Sequence, residues 1–177
     1  VTTTHTTPDA GESPLPGVVW GVDVGMARVG LARADREGLL ASPVRTVPVD
    51  EGDTALQEVV DLVREESAST GVVVGLPRHL DGHESTSAAE ARRWAGHLAR
   101  ALGPDVRVWL VDERMSTVAA SRAMRESGVR QREQRTRIDQ AAAVEILQGA
   151  LDAWRRGSAV GEPVAGRKPR RRSKQST

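Results

Sequence analysis

Val18-Val19-Trp20-Gly21-Val22-Asp23-Val24-Gly25 is an apolar run that closes on a carboxylate and a glycine, and Arg28-Val29-Gly30-Leu31-Ala32 follows two residues later. Valine and tryptophan favour a buried strand. An ionised carboxylate is costly in such a strand unless it is paired or holds a cation. Gly25 lets the chain turn at once, and residues 28–34 alternate well enough to form the returning strand of a hairpin. The stretch therefore reads as a cation site at a sheet edge, with Gly25 leaving room for a phosphate. The plainer alternative makes Asp23 a structural turn acid.

Outward from that hairpin, residues 39–47 read as a third strand. A helix follows over 53–68, with Leu56, Val59, Val60 and Val63 as its apolar stripe. Strand 71–76, helix 84–102, strand 105–112, helix 116–127 and a last helix over about 135–155 complete the pattern, with breaks at Gly71, Gly103-Pro104 and Gly128. Three tightly joined strands, then strands alternating with helices, describe an α/β fold. Its mixed sheet joins an antiparallel meander to crossover units. Val72-Val73-Val74 and Val106 to Val111 are apolar enough for parallel strands covered on both faces. Ligands in such sheets bind beyond the carboxyl ends of the strands. Asp23, the Gly75-Leu76-Pro77 turn and Asp112-Glu113-Arg114 all fall there.

The 177 residues suit one domain of about 100–150 residues with tails. Residues 1–16, rich in Thr, Pro and Gly, are expected to be disordered, the domain to span 17–156, and 157–177 to form a disordered basic tail. No apolar run approaches the roughly 18 residues of a membrane span, and no secretory leader is visible, so a cytoplasmic protein without membrane contact is expected. Cysteine is absent, which excludes disulfides and thiolate metal sites. Metal chemistry would need oxygen or imidazole ligands, which suits Mg2+ or Mn2+. Net charge is +1. Residues 167–177 hold six basic groups and no acid, leaving 19 basic against 24 acidic groups elsewhere. A mildly acidic body thus carries a strongly basic tail, which would add salt-sensitive attraction to RNA or DNA.

Asp23, Glu113 and Asp139 end or begin elements expected to converge on one sheet edge. Two-metal nucleases place several carboxylates together because two divalent ions, roughly 3.5–4 Å apart, activate water and stabilise the leaving oxygen. Asp139 shares a helical face with Ala143, Ile146 and Ala150, and Ala141, Ala142 and Ala143 are small enough to let that face approach the sheet. Otherwise Asp139 only caps a helix. Asp112 and Glu113 are neighbours on a strand end, so they point to opposite faces, and pattern alone does not choose between them.

Together these motifs resemble the YqgF/RuvX family, relatives of the RuvC Holliday-junction resolvases within the RNase H-like fold. The stretches that carry the resemblance are Gly21-Val22-Asp23-Val24-Gly25 with Arg28-Val29-Gly30-Leu31-Ala32, Val73-Val74-Gly75-Leu76-Pro77 with Asp81-Gly82, Asp112-Glu113-Arg114-Met115-Ser116-Thr117, and Ile138-Asp139-Gln140-Ala141-Ala142. The resemblance covers residues 17–155. It implies a five-stranded mixed sheet of order 3-2-1-4-5 with helices on both faces. It also implies a nuclease that uses Mg2+ or Mn2+ in maturing the 5′ end of pre-16S rRNA, with Asp23, Glu113 and Asp139 as metal-binding catalytic acids. Ala27 stands where the family often has a basic residue.

Arg28 and Arg114, inside the motifs, are candidates for phosphate binding, as are Arg135 and Arg137 at the approach to Asp139 and the strand-end glycines Gly25 and Gly75. Arg125, Arg130 and Arg132 crowd the same approach, although a solvated helix pair balanced by Glu126 and Glu133 explains them equally. His79 and His83 read as surface residues. Trp20, Trp94, Trp109 and Trp154 read as core.

Three classes of function follow. The first is a metal-dependent endonuclease acting on precursor rRNA, with a pre-ribosomal particle as a candidate partner, as a monomer or homodimer. A Holliday junction resolvase acting on branched DNA as a symmetric dimer is the second enzymatic reading. A non-catalytic RNA-binding assembly factor is the third. An actin-like ATPase shares the Asp-x-Gly beginning but needs two such domains.

Overall fold

Alternation along the first strand separates the two cores. The computed structural model describes residues 17–77, 85–113 and 132–166, with side chains from Asp139 onward in the last segment. Within strand β1 (Val18–Val24), Val18, Trp20, Val22 and Val24 enter one apolar core and Val19 enters the other. By the period of two, Gly21 and Asp23 share the side of Val19.

Strand β2 (Arg28–Ala34) returns antiparallel to β1 and places Gly30 opposite Asp23. Strand β3 (Ala41–Pro48) pairs antiparallel with β2. Helix α1 (Thr54–Glu65) leads to β4 (Ser69–Leu76), which runs parallel to β1. Helix α2 (Thr86–Leu102) leads to β5 (Arg107–Asp112), parallel to β4. After helix α3 (Arg132–Arg155) comes β6 (Glu162–Pro163), antiparallel to β5. The sheet order is β3-β2-β1-β4-β5-β6.

Helices α1 and α2 cover one face of the sheet. Val59, Val63, Ala95 and Leu98 pack there with Val22, Val72, Val74 and Leu110. Helix α3 covers the other face, where Ala142, Ala143, Ile146, Leu147 and Ala150 pack with Val19, Ala32, Val73 and Trp109. Trp109 and Trp154 meet edge to face at 5.2 Å between ring centroids, and Trp20 Nε1 donates to Ser69 Oγ at 2.9 Å. Burying each of these larger aliphatic side chains stabilises the fold by roughly 1.5–3 kcal/mol.

The α/β class and the order of the first five strands are those expected. A sixth strand corrects the expected five. Gly157 and Gly161, at φ +72° and +62°, turn the chain back. Val160 is buried and Val164 N–H donates to Val108 O at 2.8 Å. Arg92 on α2 pairs with Glu162 at 3.0 Å. Two residues, one a proline, carry no strand periodicity, and proline is tolerated because this strand lies at the sheet edge. The packed chain therefore runs beyond residue 156. Helix α1 stops at Glu65, short of the expected 68, because Ser69 and Thr70 join β4. The helix expected over 116–127, the N-terminal segment 1–16 and the basic tail at 167–177 lie outside the described residues.

Candidate active site

Glycines on three adjacent strands set the floor of the site. A Cβ on Gly21 would stand 2.6 Å from the Ala143 carbonyl oxygen, and one on Gly30 would stand 2.2 Å from the Asp139 carbonyl oxygen. Helix α3 thus rests its backbone directly on β1 and β2. Close helix approach was expected from the alanines at 141–143, of which Ala142 and Ala143 are buried and Ala141 is exposed. The sheet's half of that contact, Gly21 and Gly30, escaped the sequence reading. An isolated glycine inside a strand is the signal that could have found it.

This contact brings Asp139 to the level of Asp23. Gly30 is the register partner of Asp23, and residues directly opposite on antiparallel strands point to the same face. Asp23, Gly30 and the start of the described part of α3 therefore share one side of the sheet.

Glu113 joins them from the other flank. Val111 of β5 lies opposite Gly75 of β4, and Asp112 lies opposite Leu76. Leu76 belongs to the core under α1 and α2, so Asp112 is directed to that side. Glu113, one residue on, crosses to the α3 side, where its Oε1 lies 2.7 Å from the position of a Cβ on Gly75. Glu113 therefore lies on the α3 side of the sheet, the side that Asp23 shares, and Asp112 on the other. Gly75 itself follows Val74, the partner of Val22, so it stands beside Asp23 in the sheet.

Asp23 and Glu113 are 4% and 3% exposed, the buried charged side chains among the described residues. One oxygen of each, Oδ1 and Oε1, is buried and accepts no hydrogen bond from the described residues, while each carboxylate has other interactions. Asp139 is half-buried, and its Oδ2 accepts from Arg28 Nε at 2.9 Å. Among the described residues no three acidic or imidazole side chains stand as a finished metal cage.

Gly25 has a structural use, since its N–H donates to Arg28 O at 2.9 Å and a Cβ would stand 2.7 Å from that oxygen. Gly75 likewise has one, as the seat of Glu113. Arg28 begins β2 and holds Asp139, a partner 111 residues away that no local pattern announces. Arg135 and Arg137 lie on α3, their side chains outside the described set, and Arg114, Arg125, Arg130, His79 and His83 lie outside the described residues. Trp20, Trp109 and Trp154 are buried as expected, and Trp94 packs half-buried against the α2 side.

A six-stranded mixed sheet of the RNase H-like kind, with Asp23 and Glu113 buried on its α3 side, defines the class. Residues 17–153 match the profile of RuvX, described as Holliday junction resolvase, and the chain belongs to the RuvX family. A protein of Kineococcus radiotolerans named as a candidate pre-16S rRNA nuclease is 47% identical over 161 residues, covering 90% of this chain and 84% of its own. Another of that name from Streptomyces avermitilis is 50% identical over 144 residues, covering 81% and 91%. Among solved structures, RuvC of T. thermophilus in complex with a Holliday junction substrate superposes with a TM-score of 0.54, covering 84% of this chain and 99% of that one. At 18% identity, that likeness is one of fold.

Proposed function

We propose that this chain is a divalent-metal-dependent endonuclease whose substrate is precursor rRNA, cut at the 5′ end of pre-16S rRNA in the cytoplasm. The observation that carries this reading is the burial of Asp23 and Glu113 on the α3 side of the sheet, at the ends of β1 and β5 with β4 between them, and the Asp139 segment seated on Gly30, which lies opposite Asp23. Two acids buried on one face of a sheet are costly as bare anions. A cation between them removes that cost, and carboxylate oxygens are the donors that Mg2+ and Mn2+ take. The residues fit such an ion. Asp23 and Glu113 would hold it, and Asp139 would be the third ligand.

A bound divalent ion would supply an activated water and would neutralise charge on the phosphate. Asp23 and Glu113 fix where that chemistry happens, because Asp23 is paired with Gly30 of β2 and Glu113 directly follows β5 against Gly75. Gly75, with no side chain, leaves the space that Glu113 occupies, and Gly25 closes the turn that brings Arg28 to the strand end. Arg28, Arg114, Arg135 and Arg137 grip the nucleic-acid backbone, which positions the scissile bond without reading sequence. The names of the relatives point to precursor 16S rRNA. As for membranes, none of the described helices is long and apolar enough to cross one.

The family's description keeps a second reading, cleavage of four-way DNA junctions. Cleavage by the native protein and by Asp23→Asn and Glu113→Gln, with Mn2+ or Mg2+, on a 5′-extended 16S precursor fragment and on a four-way junction tests both. The expected result is metal-dependent cutting of the precursor by the native protein alone. Cutting of junctions but not precursor transfers the assignment to a resolvase. Equal cleavage by native and Asp23→Asn proteins removes the site, and tight RNA binding without cleavage under any metal leaves an assembly factor.

A further inference from the structure

The Arg28–Asp139 pair sets the third carboxylate against its expected task. Arg28 Nε donates to Asp139 Oδ2 at 2.9 Å, with the two side chains 25% and 20% exposed. The pair is thus sheltered enough to be strong and open enough for a ligand to reach. A guanidinium at this distance competes with any cation for the same carboxylate, by charge and by occupying a lone pair. Its other natural partner is a phosphate, which it binds bidentately. Arg28 follows the turn closed by Gly25, two positions ahead of Gly30, so it sits at the same sheet edge as Asp23.

We propose that Arg28 is a positioning residue that exchanges Asp139 for a backbone phosphate when nucleic acid arrives. The third carboxylate is then released to the ion held by Asp23 and Glu113. This inference rests on the metal-dependent nuclease reading and adds to it an order of assembly: substrate completes the metal site. Metal binding by the protein alone is correspondingly weak, and hydrolysis of water-exposed bystander phosphates is suppressed. Because coupling between two ligands is reciprocal, a released Asp139 tightens the metal by the same factor that the metal tightens nucleic acid.

The test uses the full chain and binding rather than turnover. Mn2+ alone is titrated calorimetrically into the native protein, Arg28→Gln and Arg28→Lys. Arg28→Gln is expected to bind Mn2+ about tenfold more tightly than native, within the usual range of such couplings. Arg28→Lys, which keeps the charge without the fork, is expected in between. In a second arm, a 5′-extended 16S precursor fragment is titrated in excess chelator. Asp139→Asn should bind it several-fold more tightly than native, and that gain should vanish in the Arg28→Gln background. Unchanged Mn2+ affinity in both Arg28 variants overturns the exchange. So does an Asp139→Asn gain of equal size in both backgrounds, which would be a bare charge effect. If these results fail while Asp23→Asn is inactive, only the exchange falls. Full cleavage by Asp23→Asn removes the nuclease reading itself.

Discussion

Gly30 carries the backbone of Asp139: a Cβ there would stand 2.2 Å from the Asp139 carbonyl oxygen, so helix α3 touches strand β2 with no side chain between them. Because Gly30 also lies opposite Asp23, one glycine sets both the height of the helix above the sheet and the position of one acid relative to another.

Gly30→Ala therefore forces backbone against backbone. Neither atom is the end of a flexible side chain, so the helix must lift. The expected cost is about 2–3 kcal/mol, read from urea denaturation, together with weaker Mn2+ binding. Native stability in this variant would mean that α3 does not rest on β2.

Gly75→Ala separates stability from function. The new Cβ meets Ile146 Cδ1 at 2.5 Å and Glu113 Oε1 at 2.7 Å, both ends of movable side chains. The cost should be about 1 kcal/mol, lowering Tm by about 2–4 °C. Mn2+ affinity should fall by roughly 10–100-fold, as when the support of a metal ligand is disturbed. Calorimetry with and without Mn2+ distinguishes the two effects.

Asp23→Asn should trade function for stability. Replacing one of two buried anions by a neutral amide relieves a desolvation cost. The variant without metal should thus melt no lower than native. Cleavage should fall by more than the roughly 100-fold that loss of an outer-shell partner brings. Melting curves in chelator and initial rates in Mn2+ check both halves.

At the far end of α3, Gln148 donates to Asp152 Oδ1 at 3.1 Å, and Arg155 also donates to that carboxylate. The Gln148 bond first, then that of Arg155, holds the Asp152 carboxyl below its ordinary range. A lowered folded pKa means that this stabilisation is present above the unfolded pKa of about 3.9 and is lost as pH falls through the folded value. Asp152→Asn should thus lower stability at neutral pH by no more than a few tenths of a kcal/mol, screened by solvent. The difference from native should disappear at strongly acidic pH, as urea melts across pH 2–7 would show.

What the sequence disclosed follows from range. The apolar run before Asp23, the Gly25 turn and the valine-rich strands at 72–74 and 106–111 are local signals, and the sheet built from them has the expected order. Glu113 was undecided against Asp112 because both faces of β5 are covered, and only the seat at Gly75 separates them. The short β6 escaped because Glu162-Pro163 has no period to read. Arg28 was legible as a motif arginine, while its hold on Asp139 depends on a helix docking far along the chain.

Asp23 and Glu113 together holding a divalent ion is the step on which the proposed nuclease activity turns. Anomalous diffraction from crystals of the native protein soaked in Mn2+ tests this most directly. The expected result is a peak between the two carboxylates, on the α3 side of the sheet above Gly75, that is lost in Asp23→Asn. A saturating soak that places manganese elsewhere, or the same peak persisting in Asp23→Asn, would contradict it.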